Sequence, residues 1–189
     1  VLSTPGKGSN FWFTIRQQKA EISLPEMPSD ELPSMLVSER LIRENHPGAC
    51  VLVVEDEPIG REVASNLLEE IGLSVDLADD GCQAVELARQ KTYDLILMDM
   101  QMPRMNGVEA AQAIRSDSQN RNTPILALTA NAFEEDRLIC LKAGMNDHIA
   151  KPIDPENLLE RLLHWLELSR QPEARGSGIQ TECECAVER

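Results

Sequence analysis

The chain lacks the hallmarks of membrane proteins and of proteins that bind nucleic acids. No apolar run approaches the roughly 20 residues that span a bilayer, and the first residues do not resemble a secretion signal. The net charge of −14 also disfavours non-specific binding to nucleic acid or anionic lipid, because both interactions depend on Lys and Arg. We therefore expect a soluble, cytoplasmic chain that binds no nucleic acid and makes no direct membrane contact.

Cysteine is sparse and its spacing is irregular. The five cysteines are Cys50, Cys82, Cys140, Cys183 and Cys185. Their odd number and the lack of a CxxC pair disfavour a disulfide framework or a zinc site. Cys183 and Cys185 are one residue apart, but two thiolates rarely complete a metal site. A reducing compartment fits this pattern.

Composition divides the chain into segments. Val1 in place of an initiator Met predicts a piece of a longer protein. Residues 17–47 contain four prolines among many charges, which predicts a linker, with a short amphipathic turn at Met35-Leu36 and Leu41-Ile42 as the alternative. Residues 48–169 alternate between strand and helix patterns and predict one domain. Residues 170–189 are rich in Glu, Gly, Ser and Thr, which predicts a disordered tail.

The predicted domain alternates five apolar runs with five helical patterns. The runs begin near Cys50, Leu73, Leu95, Pro124 and His148. The first helical pattern repeats every four residues and predicts a helix whose apolar face packs on a sheet; its members are Ile59, Val63, Leu67 and Ile71. Alternating strands and helices predict an α/β fold, with a parallel sheet covered on both faces.

Polar residues follow four of the predicted strands. They are Glu55 with Asp56, then Asp99, Thr129 and Lys151. The carboxyl ends of parallel strands meet at one edge of the sheet, where ligands bind. Crowded carboxylates suit Mg²⁺, a carboxylate can act as a nucleophile towards phosphorus, and a lysine and a hydroxyl can bind phosphoryl oxygens. Singly, each acid could be a helix cap, Thr129 an N-cap and Lys151 a surface lysine; together they predict a phosphoryl-transfer site.

Four segments at these strand ends resemble the signature of response-regulator receiver domains. They are Val54-Glu55-Asp56, Leu97-Met98-Asp99-Met100-Gln101-Met102-Pro103, Leu128-Thr129-Ala130 and Lys151-Pro152. The resemblance extends from Cys50 to about Leu168. It implies a flavodoxin-like, doubly wound five-stranded parallel sheet of order 2-1-3-4-5 with five helices, and a site between the first and third strands.

The resemblance implies a Mg²⁺ site built from four residues. Asp56 and Asp99 would be direct ligands, and the main-chain carbonyl of Gln101 would supply another. Glu55 would belong to the same acidic pocket and act through water.

The resemblance also implies how the phosphoryl group is held. Asp99 would be the phosphoacceptor, Thr129 and Lys151 would bind the phosphoryl oxygens, and Lys151-Pro152 would be a cis bond. Thr129 would act as a switch together with His148, which stands where many receivers have Tyr or Phe. Histidine could serve as a planar, pH-sensitive substitute, or it could be a tolerated side chain with no signalling role.

Two stretches indicate a kinase context. Gly6-Lys7-Gly8-Ser9-Asn10-Phe11-Trp12-Phe13 resembles the last glycine-rich box of the ATP-binding domain of sensor histidine kinases, although a β-hairpin fragment explains it too. The receiver segments are themselves similar to receivers fused behind such kinases. Residues 1–16 would then be a kinase remnant unable to bind ATP alone, and the parent would be a hybrid histidine kinase, anchored in the inner membrane.

These resemblances imply the activity and the partners, with two alternatives. The receiver would accept its phosphoryl group from a kinase dimerisation domain or a histidine phosphotransfer domain. Alone it would only phosphorylate and dephosphorylate itself. A haloacid-dehalogenase-like phosphatase also uses a strand-end Asp with Mg²⁺, but Gln101 stands where those enzymes need a second Asp. A pseudo-receiver that only binds partners is disfavoured by the full set of site residues.

Overall fold

The computed structural model describes residues 2–4, 8–10, 34–130 and 134–170, in two compact units. In the first unit, β1 (Leu2–Thr4) and β2 (Gly8–Asn10) form an antiparallel pair in which Leu2 lies opposite Asn10. A hairpin is therefore present in the glycine-rich segment. The aromatic run at residues 11–13, which carries much of the kinase resemblance, lies outside the described residues, as do residues 17–33 of the predicted linker and 171–189 of the predicted tail.

The second unit contains the predicted parallel sheet. Its strands are β3 (Cys50–Val54), β4 (Ser74–Ala78), β5 (Leu95–Asp99), β6 (Ile125–Thr129) and β7 (Asp147–Ala150). They lie in the order β4-β3-β5-β6-β7, and every adjacent pair is parallel. Counted from β3, this is the predicted order 2-1-3-4-5, so the fold class is confirmed. The central strands β3, β5 and β6 are buried almost throughout, as apolar runs in a doubly covered sheet require.

Five helices connect or follow these strands, as predicted. They are α2 (Pro58–Glu70), α3 (Gly81–Gln90), α4 (Gly107–Ser116), α5 (Glu134–Lys142) and α6 (Pro155–Arg170). Apolar side chains form one core cluster with α3 and α4 on one face of the sheet and another with α2 and α6 on the opposite face. Within the described residues, no helix is long and apolar enough to cross a membrane.

A sixth helix, α1 (Ser34–Asn45), lies inside the segment predicted as a linker. Its Ile42 is fully buried and belongs to the same core cluster as Leu159 and Leu162 of α6. The structure therefore adds one helix, before the first strand of the parallel sheet, to the five predicted. The proline content of residues 17–47 favoured a linker over the amphipathic turn at Met35-Leu36 and Leu41-Ile42, but the window between Pro33 and Pro47 contains no proline and is long enough for three helical turns.

Helix α2 packs on the sheet through a different face from the one that its four-residue apolar repeat predicted. Ile59 and Val63 are 71% and 59% exposed, whereas Ala64 and Leu68 are buried. A row of residues four apart advances by about 40° per step around a helix of 3.6 residues per turn. The row therefore begins on the solvent side and ends, at Ile71, in the core. The prediction was wrong for its first two members.

Candidate functional site

The three predicted acids meet at the carboxyl edge of the sheet. Asp99 ends β5, Glu55 and Asp56 follow the neighbouring β3, and oxygens of all three lie within 4.8 Å of one another. Glu55 and Asp99 are only 2% and 5% exposed, while Asp56 is open to solvent. The site therefore contains two buried carboxylates and a third that faces a cleft.

Lys151 supplies the positive charge inside this cluster. Its Nζ lies 2.6 Å from Glu55 Oε2 and 2.7 Å from Asp99 Oδ2. The Lys151 amide donates to the Thr129 carbonyl at 2.7 Å, and the Lys151-Pro152 bond is cis, as the resemblance implied. Lys151 directly follows β7, and its ammonium group lies between the two buried acids.

Burial and pairing shift the pKa values of Glu55 and Lys151 in opposite directions. Burial raises the pKa of Glu55 and outweighs the opposing effect of its hydrogen bond with Lys151. Burial lowers the pKa of Lys151, but hydrogen bonds to Asp99 and Glu55 outweigh it, so the net pKa is raised. Lys151 consequently stays charged at neutral pH and compensates part of the acidic cluster.

The loop after β5 fixes the other oxygen of Asp99. The Gln101 amide donates to Asp99 Oδ1 at 3.0 Å. The chain then turns back so closely that a Cβ at Gly107 would collide with the Asp99 carbonyl oxygen. A glycine is therefore required where α4 begins. Both carboxylate oxygens of Asp99 have a defined donor, so its orientation is set before any ligand binds.

An open cleft of about 610 Å³ adjoins the acids. Asp56 and Thr129 line it together with residues 100–103, Asn106 and Val108. Thr129 ends β6, next to Asp99 at the end of β5, and is 5% exposed. All the predicted strand-end residues are thus brought to one place, and the space beside them can admit a phosphoryl group.

The donor set fits Mg²⁺. Three carboxylates and one ammonium leave the cluster with excess negative charge, and every side-chain ligand atom is a hard oxygen. Asp56 and Asp99 would hold the ion directly, with Glu55 behind them and already paired to Lys151. The exposed position of Asp56 leaves room for water ligands, which Mg²⁺ usually keeps.

His148 lies in β7, away from the acids, beside a small cavity also lined by Cys140 and Leu141 of α5. Its side chain is 24% exposed, and its Nδ1 lies 3.7 Å from Asp147 Oδ1. The His148 amide donates to that same oxygen at 2.8 Å, so Asp147 holds the backbone at the proposed switch position.

Asp147 also anchors helix α6 to β7. Its Oδ2 accepts hydrogen bonds from Trp165 Nε1 at 3.1 Å and Arg161 Nη1 at 2.6 Å. Burial raises the pKa of Asp147, but these hydrogen bonds and the one from the His148 amide outweigh it and hold the pKa below its usual value of 3.8. The ionised carboxylate therefore stabilises the fold.

Asp147→Asn should lower the free energy of unfolding near neutral pH by about 2 kcal/mol, the scale of hydrogen bonds to a charged group. Because the folded pKa lies below the unfolded value, this stabilisation is complete above about pH 5 and is lost as pH falls through the folded pKa. Urea unfolding followed by circular dichroism should show the difference shrinking below pH 3.8. Asp117→Asn, at an exposed aspartate paired with Arg89, is the control; a pH-independent difference for Asp147→Asn would contradict the assignment.

Some site residues were not found from the sequence. Asn106 lines the cleft and caps α4: its side chain accepts from the Glu109 amide, and Glu109 accepts from the Asn106 amide. The Asn-x-x-Glu spacing of a capping box was the signal available. Arg61 donates to the Glu55 carbonyl at 2.7 Å, and no sequence pattern indicates that contact.

Known proteins match this chain closely. Residues 51–163 match the family described as the response regulator receiver domain. The signal transduction histidine-protein kinase BarA of Shigella flexneri is 44% identical over 138 residues, which cover 73% of this chain and 14% of the kinase. The autoinducer 2 sensor kinase/phosphatase LuxQ of Vibrio vulnificus strain YJ016 is 36% identical, covering 87% of this chain and 18% of that protein. The chain thus spans less than a fifth of the length of these relatives.

Solved structures match as well. The receiver domain of the sensor histidine kinase PA1611 from Pseudomonas aeruginosa PAO1, which has a magnesium ion in its active-site cleft, is 43% identical with a TM-score of 0.60. The match covers 64% of this chain and 98% of that one. The Saccharomyces cerevisiae receiver of Ssk1, crystallised with the histidine phosphotransfer protein Ypd1, gives 29% identity and a TM-score of 0.62 over 67% of this chain and 94% of that one. This chain belongs to the response regulator receiver domain family.

Proposed function

We propose that this receiver accepts a phosphoryl group from a phosphohistidine on Asp99 and responds with a conformational change. The observation that supports it most strongly is the pairing of Lys151 with both Asp99 and Glu55, next to the exposed carboxylate of Asp56. In the reaction, a carboxylate oxygen of Asp99 forms a bond to phosphorus while the phosphorus–nitrogen bond of the donor breaks, and the leaving imidazole takes up a proton.

The residues of this chain position the carboxylate and receive the new charge. Lys151 Nζ and the Gln101 amide orient the two oxygens of Asp99. As the phosphoryl group arrives, Lys151 can bind one of its oxygens and the Thr129 hydroxyl another. Asp56, Asp99 and the Gln101 carbonyl would hold Mg²⁺, which would supply positive charge to the phosphoryl oxygens when bound.

Incubation of the wild type with acetyl phosphate, with and without Mg²⁺, tests the proposal. We expect a gain in intact mass of one phosphoryl group in Mg²⁺ and none in excess chelator. The adduct should be lost on treatment with hydroxylamine, which cleaves acyl phosphates. A wild type that gains no mass in Mg²⁺, or gains the same mass in chelator, would overturn the proposed chemistry.

The kinase context is part of the same proposal. Residues 1–16 would be a remnant of the kinase ATP-binding domain, because Gly6 to Phe13 resemble its last glycine-rich box. Residues 17–47 would connect it to a receiver at 48–169, and the LuxQ match, which takes in 87% of this chain, extends beyond residues 51–163. The parent would be a hybrid histidine kinase, cytoplasmic in this part and anchored in the membrane elsewhere. Its phosphohistidine partner would be its own dimerisation domain or a phosphotransfer domain.

A haloacid-dehalogenase-like phosphatase is the rival function. Gln101 stands two residues after Asp99, where such an enzyme needs an acid, and its backbone amide is bonded to Asp99. A pseudo-receiver is the other rival, and the assembled cluster of Asp56, Asp99, Thr129 and Lys151 speaks against it. Multiple turnover of phosphate monoesters would favour the phosphatase, and a wild type that gains no phosphoryl group would favour the pseudo-receiver.

Ile59 and Val63 offer a docking face for the phosphohistidine partner. They are the exposed apolar residues of α2, the helix that begins at Pro58, two residues after Asp56. We expect Ile59→Glu to slow phosphoryl transfer from a phosphorylated phosphotransfer domain at least tenfold, since an apolar contact is replaced by a charge. Phosphorylation by acetyl phosphate should stay within twofold of wild type.

The matched control for this prediction is Leu36→Glu, because Leu36 on α1 is also an exposed apolar residue, at 48%. Transfer by this variant should equal that of the wild type. The docking role of α2 would be wrong if Ile59→Glu and Leu36→Glu slowed transfer from the phosphotransfer domain equally. It would also be wrong if Ile59→Glu slowed phosphorylation by acetyl phosphate as much as phosphorylation by the phosphotransfer domain.

His148→Tyr tests the proposed switch. The side chain lies 24% exposed next to Asp147 and the α5 cavity, away from the phosphoacceptor. We expect phosphorylation by acetyl phosphate to be unchanged and affinity for a phosphotransfer domain to change, because only the conformational response involves residue 148. Isothermal titration calorimetry measures this, and equal affinities for wild type and variant would leave His148 without a signalling role.

A further inference from the structure

The loop that follows the phosphoacceptor strand is tied to the turn between β4 and α3 by an ion pair. Arg104, in this loop, pairs with the carboxylate of Asp80, and its Nη2 also lies 3.5 Å from Asp79 Oδ1. Asp80 is only 1% exposed and accepts a hydrogen bond from the Gln83 amide at 2.8 Å as the N-cap of α3. Burial of an unpaired carboxylate costs free energy, so the charge of Asp80 favours keeping Arg104 in contact with it.

The backbone of Arg104 indicates that the loop is held in place. Its φ of 67° lies in the left-handed region, which non-glycine residues rarely adopt. The next residue, Met105, packs on Gly81, where an added Cβ would stand 2.6 Å from the Met105 carbonyl oxygen. One charged contact and one steric contact therefore join residues 100–106 to the β4–α3 turn.

The same loop carries backbone groups that meet the phosphoacceptor. The Gln101 amide donates to Asp99 Oδ1 at 3.0 Å, and residues 100–103 line the cleft. Arg104 itself is not one of the residues that line the cleft, so its effect on the site passes through the loop.

We propose that Arg104 is a positioning residue: its pairing with Asp80 holds residues 100–106 in the conformation in which the Gln101 backbone meets Asp99, and so preforms the Mg²⁺ site. This inference rests on the proposed function for its consequence at the metal. A loop that is not held in place must be ordered when the ion binds, and the lost conformational entropy lowers the affinity for the ion. Removal of the ion pair should therefore weaken Mg²⁺ binding.

The test compares wild type, Arg104→Ala, Asp80→Asn and the double variant. Asp80→Asn keeps an oxygen for the Gln83 amide and removes only the charge, so it retains the α3 cap. We expect each single variant to raise the Mg²⁺ dissociation constant, measured by isothermal titration calorimetry, by about three- to tenfold. This increase is smaller than the loss of metal affinity that usually follows removal of a hydrogen bond to a metal ligand. Amide exchange in residues 100–106, measured without Mg²⁺ or phosphodonor, should be about tenfold faster.

Arg89→Ala is the matched control, since it removes another exposed arginine that pairs with an aspartate, Asp117. Its Mg²⁺ affinity and loop exchange should equal those of the wild type. The double variant should be no worse than either single variant, because both remove the same contact. Full additivity, or an Arg104→Ala affinity equal to that of Arg89→Ala, overturns the positioning role. Failure of the wild type to bind Mg²⁺ overturns the proposed function as well, while loop exchange still reports whether the ion pair holds the loop.

Discussion

Asp99→Asn is expected to abolish phosphorylation by acetyl phosphate and by any phosphohistidine protein. The amide is nearly isosteric with the carboxylate, so the variant should fold, but an amide oxygen lacks the charge that makes a carboxylate a nucleophile. The change also removes a negative partner of Lys151, whose Nζ lies 2.7 Å from Asp99 Oδ2, and a ligand of the proposed Mg²⁺ site. Intact-mass measurement after incubation in Mg²⁺ should show no adduct.

Asp117→Asn provides the control for Asp99→Asn because it makes the same change in charge at a carboxylate that is 78% exposed and paired with Arg89. It should gain the same phosphoryl mass as the wild type. Thermal unfolding should show that both variants remain folded. An equal gain in Asp99→Asn would mean that another residue accepts the phosphoryl group, and the assignment of Asp99 would fail.

The site was predictable because its parts lie at the ends of strongly patterned strands. Asp99, Thr129 and the acids after β3 each follow an apolar run, and a parallel sheet must bring such ends to one edge. The sequence therefore indicated the composition of the site without any tertiary information. The roles of the individual residues required the family resemblance, since periodicity does not distinguish a nucleophile from a metal ligand.

Features that depend on side-chain direction were not predictable in the same way. The row from Ile59 to Ile71 is apolar throughout, yet its first two members face solvent because the row winds around the helix. Helix α1 lies in a segment whose proline content as a whole disfavours regular structure, although the window between Pro33 and Pro47 contains no proline. The pairing of Arg104 with Asp80 joins two turns 24 positions apart in sequence, and nothing local to either turn specifies the other.

A buried asparagine lies near the amino ends of β5 and β6, at the edge of the sheet opposite to the acidic cluster. Asn120 is fully buried, and its Oδ1 accepts hydrogen bonds from the Tyr93 amide at 2.7 Å and from Thr123 Oγ1 at 3.0 Å. Its Nδ2 donates to the carbonyl oxygens of Ala88 and Lys91, each at 2.7 Å. The amide thus joins the end of α3, the start of the β5 strand and the loop before β6, using both its acceptor and its donors.

Asn120→Asp should destabilise the domain by about 3 to 5 kcal/mol near neutral pH, because two carbonyl oxygens lose their donor and a carboxylate oxygen faces them in the interior. Protonation restores one donor, so the deficit relative to wild type should shrink as the pH is lowered. Urea unfolding at several pH values measures this, with Asn66→Asp at an exposed position of α2 as the control, expected to stay within about 0.5 kcal/mol of wild type. A deficit for Asn120→Asp as small as that of the control would show that the hydrogen bonds of Asn120 contribute little to stability. The strand that carries Asp99 would then owe its position to its pairing with β3 and β6 and to apolar packing.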